Sequence, residues 1–157
     1  MSKIIARGVS FLCELITTSG EDNNCLGYAL RDALNGSPQE LRECLIEHIR
    51  TRNDGEILAM SIVRDCCDVN EAADALRNGC FIPADVFVNF LQTGDRSIVR
   101  PVNIVFFSEN GGIYTPVLCH WENSHQTYYV GSDNTHYSAM YVRNSASLDL
   151  ILKASDN

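Results

Sequence analysis

The sequence predicts an α+β domain, with a helical N-terminal half packed on a small, mostly antiparallel sheet. Three observations carry that expectation. Between residues 25 and 91, apolar side chains recur at steps of three and four, the period of a helix face. From residue 97 onward, β-branched and aromatic runs alternate with turn residues. The 157 residues, 45% hydrophobic and 20% charged, suffice for one core and hardly for two, so residues 1–157 read as a single domain.

A first helix is expected from Cys25 through Leu26, Ala29, Leu30, Ala33 and Leu34, closed by Asn35-Gly36. Ser37-Pro38-Gln39-Glu40 is a capping box with Ser37 at the N-cap, Pro38 at N1 and Glu40 at N3. The helix it starts carries Leu41, Cys44, Leu45, His48 and Ile49 on one stripe. A third helix spans about Glu56 to Cys67, with Ile57, Met60 and Val63/Arg64 in spacing. Asn70 caps a fourth, which ends at Asn78-Gly79, and Pro83 opens a fifth with Val86, Phe87, Phe90 and Leu91 inward. The β-rich part begins with Ser97 to Phe107 and turns at Ser108-Glu109-Asn110-Gly111-Gly112. Ile113 to Cys119 is the next strand, followed by a polar connection from Trp121 to Gln126. Thr127 to Val130 and Tyr137 to Val142 complete the sheet.

Charge and cysteine usage narrow the function classes. Lys and Arg total 12 against 20 Asp and Glu, a net charge of -8, the opposite of the basic face that displaces counterions from nucleic acid. No stretch approaches the roughly 20 apolar residues of a membrane span. The apolar run from Val9 to Ile16 is interrupted by Glu14 and lacks a small-residue cleavage site, unlike a secretory signal. Seven cysteines, an odd and irregularly spaced set, fit free thiols in a reducing cytosol. None forms a C-x-x-C pair, Cys66 and Cys67 are adjacent, and Cys119 and His120 would face opposite ways on a strand, so no zinc site is expected.

The stretch "EDNNCLGYAL", residues 21 to 30, carries the candidate chemistry. Asp22, Asn23 and Asn24 are turn residues, and Asn tolerates left-handed backbone. A sharp turn into a helix at Cys25 would leave several backbone N–H groups unpaired beside the thiol. The positive end of the helix favours thiolate, and the N–H groups of Asn23, Asn24 and Cys25 could hold an oxyanion. The other reading of Cys25 is a small packed residue in a chain with six more cysteines. A nucleophile needs a base. His48 lies within a helix, while His120 and His125 flank a polar turn and are expected to be solvated. His136, in "GSDNTHYSAM", stands at the mouth of a strand where a turn can aim its ring. Asn134, two residues earlier, would share its side if the segment is extended and could orient the imidazole. The other reading of His136 is a surface residue where a strand begins.

Taken together, "EDNNCLGYAL" resembles the D-G-x-C nucleophile loop of the ovarian tumour (OTU) family of cysteine proteases, and "NTHYSAM" resembles their His-Tyr motif. Motif order, the intervening helices and the strands around the histidine agree, over roughly Ser19 to Val142. The resemblance implies a papain-like fold of OTU type and a deubiquitinase that cleaves (iso)peptide bonds after the C-terminal glycine of ubiquitin. Cys25 takes the nucleophile's place, His136 the base's, and Asp22 that of the loop aspartate that shapes the oxyanion hole. Asn134 is assigned as the third member, ahead of Asp133; Ser138, two residues after the histidine, replaces an Asp or Asn used by other members. Tyr137 completes the His-Tyr pair as packing. The implied partner is ubiquitin, polyubiquitin or a ubiquitin-like protein, bound by a monomer without metal or organic cofactor, in the cytoplasm or in a host cytosol for a pathogen effector. Asn23 departs from the family's Gly, Gly27-Tyr28 from its aromatic-basic pair, and "GCFIPADVFVNFL" from its Trp-Gly motif. Two other functions remain open: a papain-like deamidase or transferase, and a catalytically impaired module that only binds ubiquitin.

Overall fold

In the computed structural model, residues 2–16, 18–95, 97–133 and 135–155 are described, the side chains of Asp22 and Ser155 excepted. The chain is a mixed α/β structure, and it opens with strands rather than helices. β1 (Ser2–Ala6) and β2 (Val9–Ile16) form an antiparallel hairpin whose two turn residues, Arg7 and Gly8, both have positive φ (49° and 78°). That is the two-residue geometry whose twist matches the flanking strands. A 3-10 turn (Glu21–Asn23) then leads into α1 (Cys25–Ala29), α2 (Pro38–Thr51), α3 (Gly55–Ile62), α4 (Val69–Arg77) and α5 (Ala84–Thr93). The remaining strands are β3 (Asn103–Asn110), β4 (Ile113–His120), β5 (Thr127–Ser132) and β6 (Tyr137–Val142), and α6 (Ser145–Ser155) closes the described chain.

The expected sheet is corrected to a closed barrel in the order β1-β2-β6-β5-β3-β4. Four of the pairings are antiparallel, while β3 runs parallel to β5 and β1 parallel to β4. Closure rests on the short β1–β4 contact, Lys3 opposite Ile113 and Ile4 opposite Tyr114. The register of β3 on β4 shifts between Phe106 and Phe107, which pair with Leu118 and Pro116. Val117 is the extra residue, and the bulge accommodates a proline that cannot donate to a regular ladder.

Two apolar cores share strand β3. Val105 and Phe107 point into the barrel with Ile4, Phe11, Cys13, Tyr129 and Met140, and Leu148 and Leu152 of α6 pack on that cluster. Ile104 and Phe106 point the other way, into the layer formed with α1, α2, α4 and α5. This explains why "IVFF" is a continuous apolar run: both faces of the strand are buried.

Helix boundaries follow local chemistry. The capping box stands as expected: Ser37 Oγ accepts from Glu40 N at 3.1 Å, and Ser37 N donates to Glu40 Oε1 at 3.3 Å. The first helix is shorter than its apolar spacing predicts, ending at Ala29 with a 3-10 turn over Arg31–Ala33. There the backbone turns to other partners: Asn35 N donates to Ile98 O (2.7 Å) and Arg100 N to Ala33 O (2.8 Å). The third helix ends at Ile62 instead of Cys67, and Asp65 beyond it has a positive φ of 62°. Asp68, not Asn70, caps the fourth, its carboxylate accepting from Asn70 N and Glu71 N.

Gly27 has a packing reason. A Cβ there would lie 2.6 Å from Pro38 Cβ and 3.0 Å from Pro38 Cα, so α1 rests directly on the first turn of α2. Gly27→Ala should gain about 1 kcal/mol of helix propensity but lose roughly 1–3 kcal/mol to overpacking. The expected net loss of about 1 kcal/mol would appear as a lower urea midpoint at unchanged m-value. An unchanged midpoint would mean that α1 backs away from Pro38 without cost.

Candidate active site

The turn before Cys25 is built from backbone bonds. Asn23 N donates to Gly20 O and Asn24 N to Glu21 O, both at 3.0 Å. Asn23 has a φ of 59°, the conformation that makes Asn the best substitute for glycine at that place. Two of the three N–H groups expected to hold an oxyanion, those of Asn23 and Asn24, are thus engaged in closing the turn. Cys25 N–H opens α1, where helix geometry provides no intrahelical acceptor. Cys25 itself is buried, 4% exposed.

The loop is braced by a residue that sequence reasoning passed over. Arg42 of α2 is fully buried, and its Nε donates to Asn24 Oδ1 (2.6 Å), Nη2 to Asn23 O (2.8 Å) and Nη1 to Leu76 O (3.0 Å). The signal was present in the spacing. Arg42, Leu45, Ile46 and Ile49 are buried at i, i+3, i+4 and i+7, so a charged residue occupies a core position of the helix.

Strand β6 delivers the second half of the site. Tyr137 N donates to Cys25 Sγ at 3.3 Å, a contact between residues 112 positions apart. The adjoining His136 is half-buried, and its ring lies over Gly20: a Cβ on that glycine would be 3.5 Å from His136 Cε1 and 3.6 Å from Nδ1. Cys25, the loop start at Gly20 and the His136–Tyr137 peptide are therefore brought together. Tyr137 anchors the arrangement. Its ring stacks on Phe81 at 4.6 Å and meets Phe106 edge-on at 5.8 Å, while its hydroxyl donates to Ile82 O at 2.6 Å. Burial first, and the nearness of Cys25 second, push its phenol far above the ordinary value, so it remains a donor. The expectation that Tyr137 serves packing agrees with this environment.

The other residues singled out in the sequence lie as follows. Asn134 and the side chain of Asp22 fall outside the described residues; the Asp22 backbone belongs to the 3-10 turn. Asp133 holds the turn before His136 by its backbone, its Oδ1 accepting from Thr135 N (3.0 Å), Thr135 Oγ1 (2.8 Å) and His136 N (2.9 Å). Ser138 is half-buried on β6 opposite Gly131. His48 is buried and bonded to Asn89 Oδ1 at 2.7 Å. The expectation of a solvated His120 is corrected: it is buried beside Glu122 Oε1 at 2.5 Å, because the last residue of β4 turns inward. His125 is exposed. Among the described residues no cluster of three or more His, Cys, Asp or Glu could hold a metal ion.

Known proteins add a likeness of fold. A crystal structure of an OTU deubiquitinase from Wolbachia pipientis wMel is similar at a TM-score of 0.53, with 14% sequence identity, covering 91% of this chain and 96% of that one. No family model and no curated protein matches the sequence. At that identity the likeness concerns the path of the backbone, and the chemistry must be argued from the residues above.

A cleft of about 510 Å³ opens beside the same loop, lined by Gly20, Asn23, Gln39, Arg77, Asn78 and Gly79. Gly20, over which the His136 ring lies, is one of its lining residues.

The hydrogen bonds from Thr135 and His136 hold the Asp133 carboxyl below its ordinary value of 3.8. A carboxyl with a depressed folded value stabilises the fold above the unfolded value, and that contribution disappears as pH falls through the folded one. At neutral pH the His136 amide should therefore exchange about tenfold faster in Asp133→Ala than in the wild type. The difference should vanish once the pH has dropped well below 3.8, as the carboxyl protonates. Equal exchange rates at pH 7, measured by NMR, would remove Asp133 from the turn's support.

Proposed function

We propose that the protein is a cysteine-type deubiquitinase of OTU type that hydrolyses the bond following the C-terminal glycine of ubiquitin. One observation carries this reading: Tyr137 N–H donates to Cys25 Sγ, which puts the residue after the candidate base against the candidate nucleophile. The fold likeness to an OTU deubiquitinase supports the same assignment.

In the proposed reaction, Cys25 thiolate attacks the glycine carbonyl and the C–N electrons move toward the leaving lysine amine. The carbonyl oxygen takes the negative charge within reach of Cys25 N–H. His136, protonated while the thiol is ionised, gives its proton to the departing amine, leaving a thioester of ubiquitin on Cys25. The neutral imidazole then removes a proton from water, the hydroxide adds to the thioester, and free ubiquitin and Cys25 leave. Asp133 supports the backbone of His136, and Asn134 is assigned to orient its ring. No step calls for a metal or organic cofactor. The nucleophile must stay reduced, and none of the seven cysteines is disulfide-bonded, so a cytosolic site of action is part of the proposal.

A ubiquitin carrying a C-terminal electrophile should label the wild-type chain covalently and leave Cys25→Ala unlabelled. On a panel of di-ubiquitins, His136→Ala should lower kcat by about 10²–10⁴-fold, the usual contribution of a general base. Labelling that persists in Cys25→Ala would rule out this cysteine as the nucleophile. Tight ubiquitin binding without labelling of the wild type would make the chain a binding module, and release of ammonia from a protein glutamine would make it a deamidase.

A further inference from the structure

Arg42 presents an electrostatic imbalance. Its guanidinium is 0% exposed, yet its three oxygen acceptors, Asn24 Oδ1, Asn23 O and Leu76 O, are all neutral, and its other hydrogen-bond partner is the Cys80 thiol. A buried cation without an anionic partner is costly, and proteins normally provide one. The groups in its field that can become anions are Cys80 first and Cys25 second, and both offset the effect of burial on the guanidinium.

The two thiols differ in what they can offer. Burial holds the Cys80 thiol above its ordinary value of 9.0 even with Arg42 beside it, which makes it a neutral thiol at pH 7. Cys25 remains as the site where negative charge would complete the pair. Tyr137 N–H touches its sulfur and Arg42 on α2 is in its field; Cys80, ahead of Phe81, is bonded to Arg42, His136 adjoins Tyr137 at the start of β6, and Asp85 of α5 acts on Tyr137. Arg42 also holds both residues that precede Cys25. The three acceptors lie on different groups and use three different nitrogens of one planar fork, an arrangement the single ammonium of lysine cannot reproduce.

We propose that Arg42 is a positioning residue for Cys25: its buried guanidinium fixes the Asn23–Asn24 turn and sets a positive charge on the two residues that lead into the nucleophile. This rests on the proposed nucleophilic role of Cys25 and adds the source of its activation.

The test is the pH dependence of Cys25 alkylation by iodoacetamide, followed by mass spectrometry of the Cys25 peptide. Arg42→Met removes the charge while keeping much of the side-chain bulk. Its rate profile should move toward alkaline pH by about one unit, so that alkylation at pH 7 slows about tenfold and recovers at higher pH. A purely structural brace would leave the profile where it is in the folded fraction of the variant. Should Arg42→Met not fold, the wild type itself decides the matter. The ¹⁵Nε resonance of Arg42 should shift with the pH midpoint of Cys25 alkylation, and that shift should be lost in Cys25→Ala. An unmoved profile in folded Arg42→Met, a profile that moves for Cys80 but not Cys25, or an Arg42 resonance indifferent to Cys25→Ala overturns the proposal. The ubiquitin probe separates this outcome from the fate of the proposed activity. A Cys25 whose alkylation follows Arg42 but which never reacts with the probe refutes the deubiquitinase and leaves the coupling intact; the converse refutes only the coupling.

Discussion

The contact of Tyr137 N–H with Cys25 Sγ is the junction on which the site depends. It ties α1, at the start of the helical layer, to β6, the strand between β2 and β5 in the barrel. The backbone bond would be weak alone, since sulfur is a poor acceptor. Its geometry is enforced by the side chain of the same residue. The Tyr137 ring is held between Phe81 and Phe106, and its hydroxyl is fixed to Ile82 O. Three elements distant in sequence therefore determine where one peptide bond sits, and His136 is attached to that peptide. The aromatic cluster supplies the free energy and the N–H supplies the aim.

Close approach is the second constraint. Gly27 lets α1 lie against Pro38, and Gly20 leaves its surface open to the His136 ring. A similar economy holds inside the barrel, where a Cβ on Gly131 would come within 2.7 Å of Tyr114 Cε1. The barrel interior has no space for a larger β5 residue there. Small residues thus appear where two elements must touch, and the His136 ring can lie over the start of the loop because Gly20 projects nothing toward it.

How much of this could be read from the chain depends on whether the signal was local. The capping box at Ser37–Glu40 and the strand from Tyr137 to Val142 stand where the sequence puts them, since each is set by neighbours in sequence. The hairpin of β1 and β2 was missed for two physical reasons. Its turn begins with Arg7, which is not one of the usual residues at positive φ, and its outward positions include Leu12 and Ile16, both exposed. Alternation that separates strand faces is hidden when both faces carry apolar residues. Barrel closure is illegible for a different reason: it rests on two residue pairs between β1 and β4, more than a hundred positions apart. Cys25 and His136 were legible as types at the mouths of elements. Gly20 and Arg42 were not, because their importance arises only when the chain has folded around them.

The shortness of α1 changes the explanation of how a negative charge at Cys25 could be supported. A helix from Cys25 to Leu34 would have brought an appreciable dipole to the thiol, but five residues align few peptides. What survives shortening is local: the N–H groups of the first turn and that of Tyr137, each acting over hydrogen-bond distance rather than along a helix axis. A full charge on a buried guanidinium acts at longer range, and low polarity around it weakens screening. On the proposed role of Arg42, the helix that bears Cys25 is therefore not the only source of positive potential to weigh at the thiol. What the second helix visibly supplies, through one arginine on its buried face, is the hold on Asn23 and Asn24, the two residues that lead into the cysteine.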